Sequence, residues 1–244
     1  MTGYLPPSFL PRRFQVLSGS ALKMIAIITM LIDHTAAVLL SIYPPAMTPL
    51  FYMGGKGYSV YRICRDVGRV AFPIFCFLLA EGFIHTRNRV RYGRNLFLFA
   101  LISEIPWNFM FSDTWTYVKQ NVFFTLFLGY LGLCALEYFR KTPWMQLLSL
   151  LALLLAAVKL NADYGWKGYI FVLLIYLLRN EKAAQAVVGS CWLSYEWKAC
   201  FAFLSINMYN GERGFIRGKA SKYLFYAFYP VHIAVLVIIR RLFF

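Results

Sequence analysis

Apolar residues dominate this chain in recurring runs, separated by short polar or Pro/Gly-rich breaks. Runs of about 20 residues match a bilayer core about 30 Å thick, because an α-helix rises 1.5 Å per residue. The pattern predicts an all-α fold: a polytopic transmembrane helical bundle of roughly eight or nine spans, some short or Pro-interrupted. The first span covers residues 22–42. The stretch "YPPAMTPLFYMGGKGYSVYRICRDVGR" follows it and reads as a long loop or re-entrant element. "VAFPIFCFLLAEGFIH" is a second span, bent by Pro73. "NLFLFALISEIPWNFMF" is a third, interrupted by Glu104 and Pro106. "VFFTLFLGYLGLCALEYF", "WMQLLSLLALLLAAVKL" and the shorter "GYIFVLLIYLL" supply the fourth to sixth. Across 183–209, Glu196 and Lys198 break the pattern, which reads as one awkward helix or two short ones. "YLFYAFYPVHIAVLVIIRRLFF" is the last span. Residues 1–20 form a basic amphipathic lead-in with Arg12 and Arg13 near its centre, and residues 21–244 a single integral-membrane domain.

Composition agrees with the pattern. Hydrophobic residues make up 60% of the chain and charged residues only 14%, a balance foreign to soluble domains of this size. The first run is long, carries charge and lacks a small-residue cleavage site, unlike a signal peptide. The net charge of +15 would point a soluble protein toward nucleic acid. In this context basic loops hold helices at the cytoplasmic face, and no nucleic-acid partner is expected. Arg87, Arg89, Arg91 and Arg94 crowd one short loop and mark it as cytoplasmic, which puts the N-terminus there too. The segment after the first span is then external, although it carries Lys56, Arg62, Arg65 and Arg69. Charges held there against the rule have a specific job, or the segment folds back into the protein. The five cysteines form no CxxC pattern, so neither a metal site nor a disulfide framework is expected.

The informative residues are the polar ones inside apolar runs, which are costly in hydrocarbon and mark functional sites by default. The competing reading is that they pair with one another and hold helices together. In the first span Asp33 and His34 are adjacent. Lys23 and His34 are eleven residues apart, which returns them to within about 20° of one helix face and about 16 Å apart along the axis. A cation at the surface with a titratable base below it suits an anionic carrier with a long thin arm, the shape of coenzyme A. Glu81 and His85 share a face in the second span and could orient each other. Arg69 opens that span and could pair with an acid or a phosphate. Ser103 and Glu104 precede Pro106, whose freed carbonyl is common where a helix lines a cavity. Asn121, Asp163 and Arg213 lie at span ends among turn-forming residues, where a simple turn is a strong alternative. His232 follows Pro230 inside the last apolar run.

Taken together, "LKMIAIITMLIDH", "GRVAFPIFCFLLAEGFIHTRN", "FALISEIPWN", "NVFFTL", "ADYG" and "YNGERG…KYLFYAFYPVHI" resemble the TraX family, in the same order over about residues 20–240. The named member of that family is associated with acetylation of the N-terminal amine of conjugative pilin subunits. Carried over by position, the resemblance singles out Asp33, His34, Arg69, Glu81, His85, Glu104, Asp163, Arg213 and His232. The Lys23-x10-His34 spacing is also similar to a basic-x10-His signature of membrane acyltransferases that modify surface glycans, a weaker likeness pointing to the same chemistry. The resemblance implies a multi-pass protein of the bacterial cytoplasmic (inner) membrane. It implies an acetyltransferase with acetyl-CoA as cosubstrate and a protein or glycan acceptor, pilin among them. On this reading His34 is the general base, oriented by Asp33 or by a carboxylate such as Glu81 or Glu104. Lys23 and some of Arg69, Arg87 and Arg94 clamp the CoA phosphates. A covalent acetyl-His34 intermediate is a second route. The rival from another class is a proton-coupled transporter or channel built on the same Asp, Glu and His residues. A scaffold whose polar residues only glue helices together is a third.

Overall fold

The computed structural model describes residues 10–216 and 218–243, and these are mostly helical. Helices α1 (Gly19–Val38) and α2 (Pro44–Met47) lead into a hairpin of strands β1 (Pro49–Met53) and β2 (Lys56–Ser59). Helices α3 (Val60–Gly68), α4 (Ala71–His85), α5 (Arg89–Phe111) and α6 (Val122–Tyr138) follow. Then come α7 (Pro143–Lys159), α8 (Gly165–Leu177), α9 (Lys182–Trp192), α10 (Ala202–Asn207) and α11 (Lys219–Phe243). Three stretches are long and apolar enough to cross a membrane: Gly19–Ile42, Val60–His85 and Tyr223–Phe243. Helices α6, α7 and α8 are apolar but shorter. The chain is a helical membrane protein.

Two details differ from the sequence reading and two refine it. The segment after the first span is no plain loop, so the fold is not wholly α. Gly54 and Gly55 take φ of +57° and +73°, the left-handed pair that a two-residue hairpin turn needs. The hairpin closes on them, with Phe51 stacked on Tyr58 at 5.3 Å between ring centroids. Pro73 is the third residue of α4, and the Val60–His85 stretch breaks at Arg69–Val70, three to four residues before it, where a proline cannot bond the helical carbonyl and clashes with it. Most of the basic stretch is helix, not loop: α5 starts at Arg89, capped by the Asn88 side chain on the Arg91 amide at 2.8 Å. Finally, 183–209 resolves into α9, a 3-10 segment Ser194–Phe201 and α10, with the backbone leaving helical geometry at Glu196. Of the basic lead-in, residues 1–9 lie outside the described residues. Arg12 and Arg13 form a short exposed 3-10 turn.

The described residues form two compact units, one from 10–75 with 193–243 and one from 76–192. In the first, α1 packs against α3 and α11. Its start is tied to the segment before α11: the Gly19 amide donates to the Glu212 carbonyl at 2.8 Å, and the Ser20 hydroxyl donates to the Arg213 carbonyl at 2.8 Å. Helices α1 and α11 run the same way, since Lys23 meets Phe225 and, further along, His34 meets His232. In the second unit α6 is central, packed against α5, α7 and α8. Gly129 and Gly132 make that possible. A Cβ on either would come within 2.8 Å of Val172 or Leu173 on α8, so only glycine lets the two helices approach so closely.

Candidate polar site in the first unit

The centre of the site is a chain of two histidines. His34 is buried at 9% exposure in the last third of α1, and His232 is buried at 6% on α11. His34 Nδ1 and His232 Nε2 are 2.7 Å apart. The rings lie 5.0 Å apart between centroids with planes 2° from parallel. Face-stacked rings could not bring two nitrogens this close, so the rings are nearly coplanar and bonded edge to edge. His232 Nδ1 is 2.7 Å from the Phe228 carbonyl one helical turn back. A carbonyl only accepts, so His232 Nδ1 carries the proton. With both rings neutral, His232 Nε2 must then accept, and His34 Nδ1 must donate to it. The lone pair of His34 is thereby assigned to Nε2.

Around that lone pair sit a carboxylate and its counter-ion. Asp33 Oδ2 is 4.0 Å from His34 Nε2, and Arg65 Nη1 donates to the same carboxylate at 2.7 Å. The pair is nearly buried, with 14% and 22% of the side chains exposed. Arg65 reaches Asp33 because α3 crosses α1 at Gly68, where a Cβ would lie 2.2 Å from the Asp33 Cβ. Tyr229 stands edge-on to both imidazoles, 5.8 Å from each. Two more ion pairs join α3 to the 3-10 segment: Arg69 with Glu196 at 3.4 Å, and Asp66 with Lys198. Arg65 and Arg69, two of the charges that broke the topology rule, thus have acidic partners within the unit.

The sequence-derived candidates separate on this geometry. His34, Asp33 and His232 come together. The partner of His34 is His232, not a carboxylate, because α11 delivers an imidazole nitrogen in the plane of the ring while Asp33 points to α3. Arg69 is paired with Glu196 at 3.4 Å. Lys23 is half-buried on α1 with its ammonium 5.7 Å from the Phe225 ring centroid. Arg213 is exposed, and its backbone carbonyl accepts from the Ser20 amide and hydroxyl on α1. Sequence reasoning missed Arg65 as the carboxylate's partner and Tyr229 as part of the site. Their signals were the misplaced charge and the "YPVH" stretch, but neither names a partner.

The remaining candidates lie in the second unit. Glu104 accepts from the Asn121 amide at 2.9 Å and from the Asn121 side chain, which also donates to the Ala100 carbonyl at 2.8 Å. The side-chain oxygen of Asn121 caps α6 by accepting from the Phe123 amide at 3.0 Å. Asp163 pairs with Lys119 at 3.0 Å, and its carbonyl accepts from the Thr125 hydroxyl. The result is a clasp holding the chain before α6 to α5 and to the turn before α8. Glu104→Ala is expected to leave the buried Asn121 donors unsatisfied, at a cost of about 1–3 kcal/mol. Thermal melting in detergent should fall accordingly, with transfer per folded molecule unchanged. Glu81 and His85 meet one helical turn apart: exposed His85 bonds the Glu81 carbonyl at 2.9 Å, and the Glu81 carboxylate lies 3.9 Å from the same nitrogen. Glu81 also lies near buried Lys182: burial pulls that ammonium below the ordinary lysine range, and the Glu81 carboxylate pulls the other way. Arg87 and Arg94 are exposed.

Residues 18–240 match the family model described as TraX protein. The chain belongs to the TraX family. It is 31% identical to "Probable fimbrial assembly protein FimC, serogroup H1" of Dichelobacter nodosus, over 90% of this chain and 94% of that protein. It is 27% identical to "Uncharacterized protein RP591" of Rickettsia prowazekii (strain Madrid E), over 50% of this chain and 37% of that one. No solved structure matches. The family match takes in both histidines, Asp33 and Arg65, so the site lies wholly within the TraX region.

Proposed function

We propose that this TraX-family protein is an integral-membrane acetyltransferase of a bacterial inner membrane, acting on an amine or hydroxyl of a membrane or cell-surface acceptor such as a pilin N-terminus or a glycan. The observation that carries the reading is the unprotonated Nε2 of His34, assigned by the hydrogen-bond chain through His232 to the Phe228 carbonyl. A base held in one tautomer is what acyl transfer to a poor nucleophile requires. Family membership and a relative named as a fimbrial assembly protein support a pilus-related role. Acetyl-CoA, as cosubstrate, supplies the acyl group already activated as a thioester.

The work of the protein's own residues follows from the geometry. His34 Nε2 takes the proton from the attacking amine or hydroxyl. The imidazolium so formed is stabilised by Asp33, 4.0 Å away, and through Nδ1 by His232. Arg65 holds Asp33 in place. The proton then leaves Nε2 for the departing thiolate, which restores the base. Lys23, on the same face of α1 as His34 and about 16 Å from it along the axis, offers a cation for the phosphate end of the carrier. The parallel course of α1 and α11 supports an odd number of crossings.

A direct test incubates the purified protein in proteoliposomes with radiolabelled acetyl-CoA. It pairs this with mass spectrometry of surface proteins and glycans from cells with and without the gene. The reading expects an acetyl increment that depends on the gene. A histidine pair joined by a shared hydrogen bond is also a short proton wire, so a proton-coupled transporter is the second reading. Solute uptake driven by a proton gradient, with no acetyl transfer, would select it.

A further inference from the structure

The hairpin between the first two membrane-length stretches has a surface that neither water nor hydrocarbon suits. From Leu39 to Tyr61 Lys56 is the one charged residue. Every residue of β1 is exposed, including Leu50 at 65%, Phe51 at 48%, Tyr52 at 73% and Met53 at 60%. Successive strand residues point to opposite faces, so both faces of the ribbon are apolar. Ile42, Tyr43 and Met47, beside it in the chain, are exposed as well. An apolar surface of this extent is foreign to bulk water. The hydrocarbon core is equally closed to it. The sheet has two strands among the described residues, so the outer edge of each presents backbone N–H and C=O groups that lipid tails cannot satisfy.

One environment meets both demands. At the headgroup level water reaches the backbone edges while apolar and aromatic side chains sink toward the acyl chains. The chain places the hairpin there. It leaves the end of the Gly19–Ile42 stretch, and β2 runs directly into the Val60–His85 stretch. Gly19–Ile42 is 24 residues long, about 36 Å as helix and enough to cross the core. Lys56, at the turn, suits the phosphate layer, and Tyr43, Tyr52 and Tyr58 suit the interfacial belt. We infer that the hairpin Pro49–Ser59 lies in the lipid headgroup region, its partner being the bilayer surface rather than a protein. It forms a monotopic anchor at the far end of α1 from Lys23. It would fix the depth of α3, and with it the position of Arg65 against Asp33.

The test is tryptophan quenching on the full chain in phosphatidylcholine vesicles. Tyr52→Trp is conservative at an exposed position, and the signal is the difference from the parent protein. The added emission should be quenched more strongly by lipids brominated near the carbonyl end of the acyl chain than by lipids brominated near its terminus, and shielded from aqueous iodide. Adding Phe51→Ser should lift the ribbon and raise iodide quenching. Iodide quenching equal to that of free tryptophan, with no response to either bromolipid, overturns the inference by putting the hairpin in water. Stronger quenching by the deep bromines overturns it by burying the hairpin. Shielding from every quencher, with crosslinking between copies through this segment, overturns it in favour of a second copy pairing along the open edges.

Discussion

His34→Ala is expected to insert like the parent protein yet transfer no measurable label from acetyl-CoA per folded molecule. General-base catalysis contributes about 10²–10⁴-fold, equivalent to about 3–5 kcal/mol of barrier at 1.36 kcal/mol per tenfold. Nothing else at the site carries a lone pair placed as His34 Nε2 is. His232→Ala should lower transfer by less, because it removes an orienting acceptor and leaves the base itself. His232→Gln, whose side-chain carbonyl can still accept from His34 Nδ1, should recover part of the loss. A purely structural His232 would show equal activity per folded molecule in both variants. Full transfer by His34→Ala would remove the histidine from the mechanism and with it the proposed reaction.

Breaking the Asp33–Arg65 pair from one side should be the most destabilising substitution in the first unit. Removing one partner of a buried pair costs about 3–5 kcal/mol, because it strands the other charge. The side chains here keep 14% and 22% exposure, so the cost falls toward the low end of that range. Asp33→Ala and Arg65→Ala should each lower thermal stability in detergent. The double substitution should be milder than the sum, with a coupling of about 1–3 kcal/mol. Strictly additive losses would mean that the two side chains do not support each other. Asp33→Asn keeps the shape while losing the charge, so it separates the fold's need for Asp33 from any support it gives His34. Activity reduced beyond the loss of folded protein would assign Asp33 the second role.

How far the site was legible depends on the kind of contact. Apolar runs report the membrane helices because hydrocarbon thickness acts on each helix separately. Asp33, His34 and His232 stood out because a polar group in such a run is costly wherever it ends up. Partners are different. Arg65 is in a segment that reads as a loop, and only its crossing at Gly68 brings it to Asp33. Glu104 stands out by the same cost argument that marks His34, and Asp163 only as a turn-forming residue at a span end. The sequence does not show the clasp they share, built on hydrogen bonds to Asn121 and Thr125 and an ion pair with Lys119. The hairpin escaped a reading based on helical periodicity because its signal is local: two glycines in left-handed geometry and one aromatic stack.

The sequence by itself determined that this is a helical membrane protein of the TraX kind with costly polar residues inside its apolar runs, since each of those facts depends on residues close together in the chain. The tertiary structure alone decided which residues work together. Residues 198 positions apart share a hydrogen bond. The direction in which that bond donates follows from the carbonyl of Phe228, a group present in every residue and therefore invisible in the sequence. The parallel packing of α1 and α11 turns two isolated histidines into one oriented base.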